Sequence, residues 1–206
     1  RAALLVAALA ALVGTAVAPV AATQQQSVPS ADGPVDGPAQ DDGWDLVYSI
    51  SVTEDGEFER AILSLRVDDQ SYQQLSDAAQ SDGYDTAAEW LAAQQIRDAP
   101  EFLGYDETTD REVEYSHVLH IEFTQIDISR ASDTRVSVDG DQLSLSIGNR
   151  TNPNMDPDYA TVTYRLQLPG NIVSTNAIEV QDGIATWRLH EEMHSTLSVT
   201  ADIGGE

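Results

Sequence analysis

The sequence predicts an α+β domain: a mainly antiparallel sheet with one or two helices packed on one face. Three observations lead there. Runs that alternate apolar and polar residues recur from Trp44 to Ile203, the period of a half-buried strand. Asp-Gly joins such runs at Asp55-Gly56, Asp139-Gly140 and Asp182-Gly183, and this dipeptide accepts the positive φ of a tight hairpin. Helical spacing is concentrated in one region, between Ser71 and Pro100.

The chain opens with residues 2–22, AALLVAALAALVGTAVAPVAA, which are uncharged, rich in alanine and preceded by Arg1. This is the pattern of an export signal cleaved after small residues near Val20-Ala21-Ala22. The rival reading is a retained N-terminal anchor, since about 20 apolar residues span a bilayer. Residues 23–43, TQQQSVPSADGPVDGPAQDDG, hold too few large apolar side chains to offset the entropy of ordering, so they read as a disordered linker. The folded domain is expected over residues 44–206.

Within it, Leu46, Tyr48, Ile50 and Val52 share one face of a first strand, and Ala61, Leu63, Leu65 and Val67 one face of a second. SYQQLSDAAQ then predicts a short helix. DTAAEWLAAQQIRD predicts another, with Thr86 and Glu89 at capping-box spacing and Pro100 as the stop. The run EVEYSHVLHIEFTQI reads as one long strand with Val113, Tyr115, His117, Leu119, Ile121 and Phe123 on a common face. Ala160, Val162, Tyr164, Leu166 and Leu168 form another such face, and Leu197, Val199, Ala201 and Ile203 a last one. One-sided strands imply a sheet with one wet face and the other covered by the helices.

Charge excludes whole classes of partner. The chain has 35 acidic and 10 basic residues, all ten of them arginine, for a net charge of −25. Such a surface repels nucleic acid and anionic headgroups. The acids are scattered as a solvated coat, a composition like that of proteins from extreme halophiles, where salt screens self-repulsion. With no cysteine there is no disulfide, thiolate nucleophile or thiolate metal site.

One short motif carries chemistry on its face. His190-Glu191-Glu192-Met193-His194 spells the zinc-protease pattern, in which a helix brings two histidines onto one metal. Here Leu189 continues a strand and a new alternating run begins at Ser195, leaving room for a turn. In extended chain the two histidines would stand roughly 13 Å apart. A zinc protease acting through His190, Glu191 and His194 is therefore the least favoured reading, and neither a catalytic group nor a metal or cofactor is expected. His117 and His120, three apart on a strand, should point to opposite faces, with His117 a hydrogen-bonded core histidine. Asn149-Arg150-Thr151 is an N-glycosylation sequon, making Asn149 a candidate acceptor.

YRLQLPGNIVSTNAIEVQDGIATWRL resembles the closing region of the LppM-like domain family of envelope proteins, through Leu168, Pro169, Gly170, Ser174, Asn176, Gly183, Thr186 and Trp187. The resemblance implies an exported, membrane-associated domain with an apolar cavity for lipid or another hydrophobic ligand. On that reading the cavity lies between sheet and helices, and its candidate lining is Trp90, Leu91, Tyr115, Leu119, Phe123, Tyr164 and Leu166. Cell-envelope components are the expected partners. The location is the extracellular face of the membrane or the medium. The alternative is an envelope interaction module with no small ligand.

Overall fold

Strand β1 (Trp44–Val52) begins at the residue where the alternating pattern begins, and β2 (Phe58–Asp68) returns beside it as a hairpin. The computed structural model describes residues 43–149 and 160–204. The expected export signal at 1–22 and all but the last residue of the 23–43 linker lie outside them. Gly56 closes the hairpin at φ 79°, and a Cβ there would come 2.6 Å from Val136 Cγ1. The turn therefore needs glycine twice over, for its backbone and for its packing.

Helix α1 (Asp69–Ser81) follows without a loop, its first turn capped by Asp68, whose carboxylate accepts from the Ser71 amide at 2.7 Å. In α2 (Ala87–Asp98) the predicted cap is in place: Thr86 Oγ1 accepts from the Glu89 amide at 3.1 Å. Pro100 disfavours helical backbone in the residue before it. Ala99 is accordingly extended, at φ −123° and ψ 92°.

The next segment departs from expectation. The run from Glu112 to Ile126 is not one strand. It divides into β4 (Glu107–Val113) and β5 (Ser116–Phe123), an antiparallel hairpin closed by Glu114-Tyr115, and a short β6 (Gln125–Ile126) that pairs with β3 (Phe102–Gly104). Glu114 takes φ 55° with no glycine to mark it. A two-residue turn reverses the alternation, so Val113 lies opposite Ser116 and does not share a face with His117. A 3₁₀ turn (Ile128–Arg130) leads to the hairpin of β7 (Thr134–Asp139) and β8 (Gln142–Gly148). Then come β9 (Ala160–Gln167), β10 (Asn171–Thr175), the hairpin β11 (Glu179–Gln181) with β12 (Ile184–Arg188), and β13 (Thr196–Asp202).

The fold is α+β, but the sheet prediction needs two corrections. Among the described residues the strands form three sheets: a seven-stranded one in the order β11-β12-β9-β1-β2-β5-β4, a four-stranded one in the order β10-β13-β8-β7, and the β3-β6 pair. The large sheet is mixed, because β1 and β9 run parallel, from Trp44 opposite Ala160 to Ser51 opposite Gln167. Alternation reports which face a side chain occupies and is silent on strand direction and partner.

One core joins these layers. Leu46, Ile50, Leu63, Leu65, Leu119, Ile121, Val162 and Trp187 on the large sheet pack with Leu75, Ala79 and Leu91 of the helices. Leu143, Leu145, Leu197 and Val199 of the small sheet join the same cluster. The helices and the small sheet thus share the inward face of the large sheet, and a seam runs where the two covers meet. Among the described residues no helix is long and apolar enough to cross a membrane.

Candidate binding cleft

Along the seam the inward face is left partly open. The parallel pairing of β1 with β9 puts Tyr48 beside Tyr164, their rings stacked at 4.8 Å and 19°. Leu46, Ile50, Val162 and Phe58 surround that pair and complete the floor. One wall is the end of α2 and the turn after it, with Gln95, Asp98, Ala99, Glu101 and Phe102; Ile128, Asp133, Thr134, Ile147 and Gly148 form the other. The enclosed space is about 90 Å³.

Local sequence explains the α2 wall. Ala99-Pro100-Glu101-Phe102 is a tight turn, with the Phe102 amide donating to the Ala99 carbonyl at 3.1 Å and proline in the second position that suits it. The Asp127 amide donates to the Glu101 carbonyl at 2.8 Å, and Phe102 pairs with Ile126. Glu101 and Phe102 are thereby held at the cleft, 8% and 9% exposed.

Of the predicted lining, Tyr164 lies in the cleft. Tyr115 does not: it caps the β4–β5 turn and is 89% exposed. Leu91, Leu119 and Phe123 fill the solid interface between α2 and β5, as helix–sheet contacts ordinarily do. Trp90 is buried with its Nε1 donating to Asp82 at 2.8 Å, and Leu166 is in the core beyond the cleft. Tyr48, Phe58, Asp98, Glu101, Phe102 and Asp133 were not among the predicted lining residues. The inward alternation of Tyr48 and the helix stop at Pro100 were the available signals for two of them.

The histidines are dispersed. His117, on the inward face, stacks on Tyr72 of α1 with ring centres 3.6 Å apart, between Asp69 at 3.4 Å and Asp110 at 3.8 Å. Tyr72 donates to Asp110 at 2.8 Å, and its phenol is pushed up to about 12, first by burial and then by that bond and charge. His120, on the outward face, meets Ser64 Oγ at 3.2 Å. His190-Glu191-Glu192-Met193-His194 is the connection between β12 and β13, built of turns without a helix. His190 Nδ1 lies 3.3 Å from the Val162 carbonyl oxygen, whereas His194 Nε2 lies 3.6 Å from Glu192. Among the described residues no group of three or more His, Cys, Asp or Glu side chains is arranged to hold a metal.

Asn149 bears on that connection. Its Nδ2, the atom a glycan would occupy, donates to the His194 carbonyl at 2.6 Å, and its backbone amide donates to Ser195. The rest of the sequon, Arg150 and Thr151, lies outside the described residues. A second hollow, about 260 Å³ but more open, lies on the outer face of the small sheet among Arg135, Ser137, Ser144, Ser146, Ser174, Ser198 and Thr200. Two of its hydroxyls, Ser144 and Thr200, bond to each other at 3.1 Å, and among the described residues no aromatic side chain lines it.

These features define an α+β domain with a cleft at the seam between two covers of one mixed sheet. No family model matches the chain, and no curated protein matches it. Among solved structures it is similar to the folded domain of the Mycobacterium tuberculosis LppM protein, determined by NMR, at 14% identity and a TM-score of 0.45. That likeness covers 82% of this chain and 95% of that domain.

Proposed function

We propose that this is an exported, non-catalytic binding domain of the cell envelope that lodges a compact part of a small hydrophobic or amphiphilic ligand in the seam cleft. The observation that carries the reading is the cleft itself: Leu46, Ile50, Phe58, Phe102 and Val162 around the stacked Tyr48 and Tyr164. Concave apolar sites with a few convergent polar groups are where small ligands bind. The zinc-protease reading has least support, because its motif is a turn. Export rests on residues 2–22 of the sequence.

At about 90 Å³ the cleft is smaller than the few hundred Å³ of a site that swallows a drug-sized ligand, so only part of a ligand would be enclosed. The second reading, an envelope interaction module, is favoured by Val173 and Val180, 57% and 48% exposed on the edge strands β10 and β11. Native mass spectrometry of protein isolated gently from its host, followed by organic extraction, tests the choice. A small molecule that leaves with extraction is the expected result. Ligand-free protein that cross-links to an envelope protein through β10 or β11 would replace the first reading with the second.

A further inference from the structure

We propose that the outer face of the seven-stranded sheet docks an anionic polysaccharide, whose carboxylates or sulfates are received at Arg165 and Arg188. This surface is separate from the cleft and does not rest on it. Strand register lays out the face: side chains that alternate with the core residues point away from the helices and the small sheet. Arg60, Arg66, Arg111, Arg165 and Arg188 hold such positions, half of the chain's ten arginines. The acids at such positions are Asp45, Asp68, Glu107, Glu122 and Glu179. Charge therefore balances on this face, five against five, which leaves thirty acids and five arginines for everything else. The net charge of −25 hides that segregation.

The arginines differ in how far they are engaged. Arg60 is held by Glu122 at 2.6 Å, beside Glu107 and Glu59, and Arg66 donates to Ser116 at 3.0 Å. Arg165 is exposed and makes no ion pair or side-chain hydrogen bond among the described residues. Thr186 and Ser49 stand directly across from it on β12 and β1, and Thr163 and Gln167 flank it along β9. Arg188 lies on the diagonal across β12, about 7–8 Å away and within reach of a long side chain. Its guanidinium meets Glu179 at 3.0 Å at the sheet edge. Guanidinium groups recognise oxyanions through paired hydrogen bonds, and the hydroxyls and amide around Arg165 both donate and accept, as sugar hydroxyls require. Charge complementarity selects the occupant. A thin polyanion touches this face alone, whereas an anionic bilayer or a second copy brings a broad body of like charge towards the acidic remainder.

The test is an amide-resolved NMR titration of the folded protein at fixed ionic strength. Its probes are short oligosaccharides of alginate and of dextran sulfate, with neutral maltodextrin as the control. Alginate, dextran sulfate or both should shift the amides of Ser49, Thr163, Arg165 and Thr186, and maltodextrin should shift none. Arg165→Gln should weaken binding about tenfold, the loss of one charged hydrogen-bonding contact. Arg97→Gln removes the same charge from the end of α2, on the other side of the sheet, and should leave binding nearly unchanged. Thr186→Glu, which sets a carboxylate beside Arg165, repeats the test should Arg165→Gln disturb folding. Binding of neither polyanion, equal binding of maltodextrin, or equal losses in Arg165→Gln and Arg97→Gln would overturn the proposal and leave the cleft reading untouched. Phosphatidylglycerol vesicles and a protein dilution series complete it. The same shifts with vesicles but no polyanion would replace the polysaccharide with a membrane, and shifts on concentrating the protein alone would replace it with a second copy.

Discussion

Asn176 does the work of a clasp between the two large layers. Its Oδ1 accepts from Trp187 Nε1 at 2.9 Å and from the Ser198 amide at 2.8 Å, while its Nδ2 donates to the Thr196 carbonyl at 2.8 Å. Trp187 belongs to β12 of the seven-stranded sheet, and Ser198 and Thr196 to β13 of the small one. Asn176→Ala leaves a 1%-exposed indole N–H and a strand amide without their acceptor, so denaturant unfolding at constant salt should show a loss of about 2–4 kcal/mol. Tyr72 gives a pH signature. Its folded value of about 12 exceeds the ordinary 10, so the neutral phenol is favoured by the fold. The resulting stabilisation is complete below pH 10 and disappears as pH rises through about 12. Absorbance titration should show a late-ionising step to which Tyr72 contributes, and Tyr72→Phe should reduce the absorbance change above about pH 11 by one tyrosine's share. Neither the clasp nor the Tyr72–His117 stack could be read from spacing, because each joins residues distant in the chain.

At the scale of elements, local chemistry was legible wherever a turn or cap has its own residue signature. The three Asp-Gly hairpins, the Thr86 cap and the stop at Pro100 all form where the sequence expects them. The Glu114-Tyr115 turn was not legible, since it places a glutamate at positive φ where glycine, asparagine or aspartate would have announced it. That single turn moved Tyr115 from the expected lining to solvent. The Leu168-Pro169-Gly170 corner shows the stronger case. Gly170 sits at φ 75°, and a Cβ there would stand 2.0 Å from the Asp202 carbonyl oxygen of β13. Gly170→Ala should therefore destabilise the protein by more than about 1 kcal/mol, seen as a lower unfolding midpoint. Gly140→Ala, with φ 59° but nothing within 4 Å, should lose less, because only the backbone is strained.

For the molecule as a whole, charge and layering set the behaviour. With 35 acids against 10 arginines, ion pairs such as Arg60–Glu122 at 2.6 Å and Arg188–Glu179 at 3.0 Å engage few of the carboxylates. Repulsion among the rest is confined to about 3 Å at 1 M salt and reaches about 30 Å at 0.01 M. Transfer from the first to the second should lower the thermal midpoint by several degrees, since about 1 kcal/mol moves a domain of this size by about 2–4 °C. The layering was only half legible. One-sided strands announced a buried face, but not that a second sheet shares it with the helices, and the cleft exists only because those two covers meet.

Whether the cleft holds a ligand is read out by ligand-linked stability. Thermal unfolding is measured with and without an amphiphile extract of the host envelope, for the native chain and for Thr134→Trp, which places an indole at the cleft wall. A ligand bound only by the folded state raises stability by RT ln(1 + [L]/Kd), so the native chain should gain several degrees and the filled variant nearly none. Equal shifts in both proteins, or no shift in the native chain, would mean that the cleft is not a ligand site.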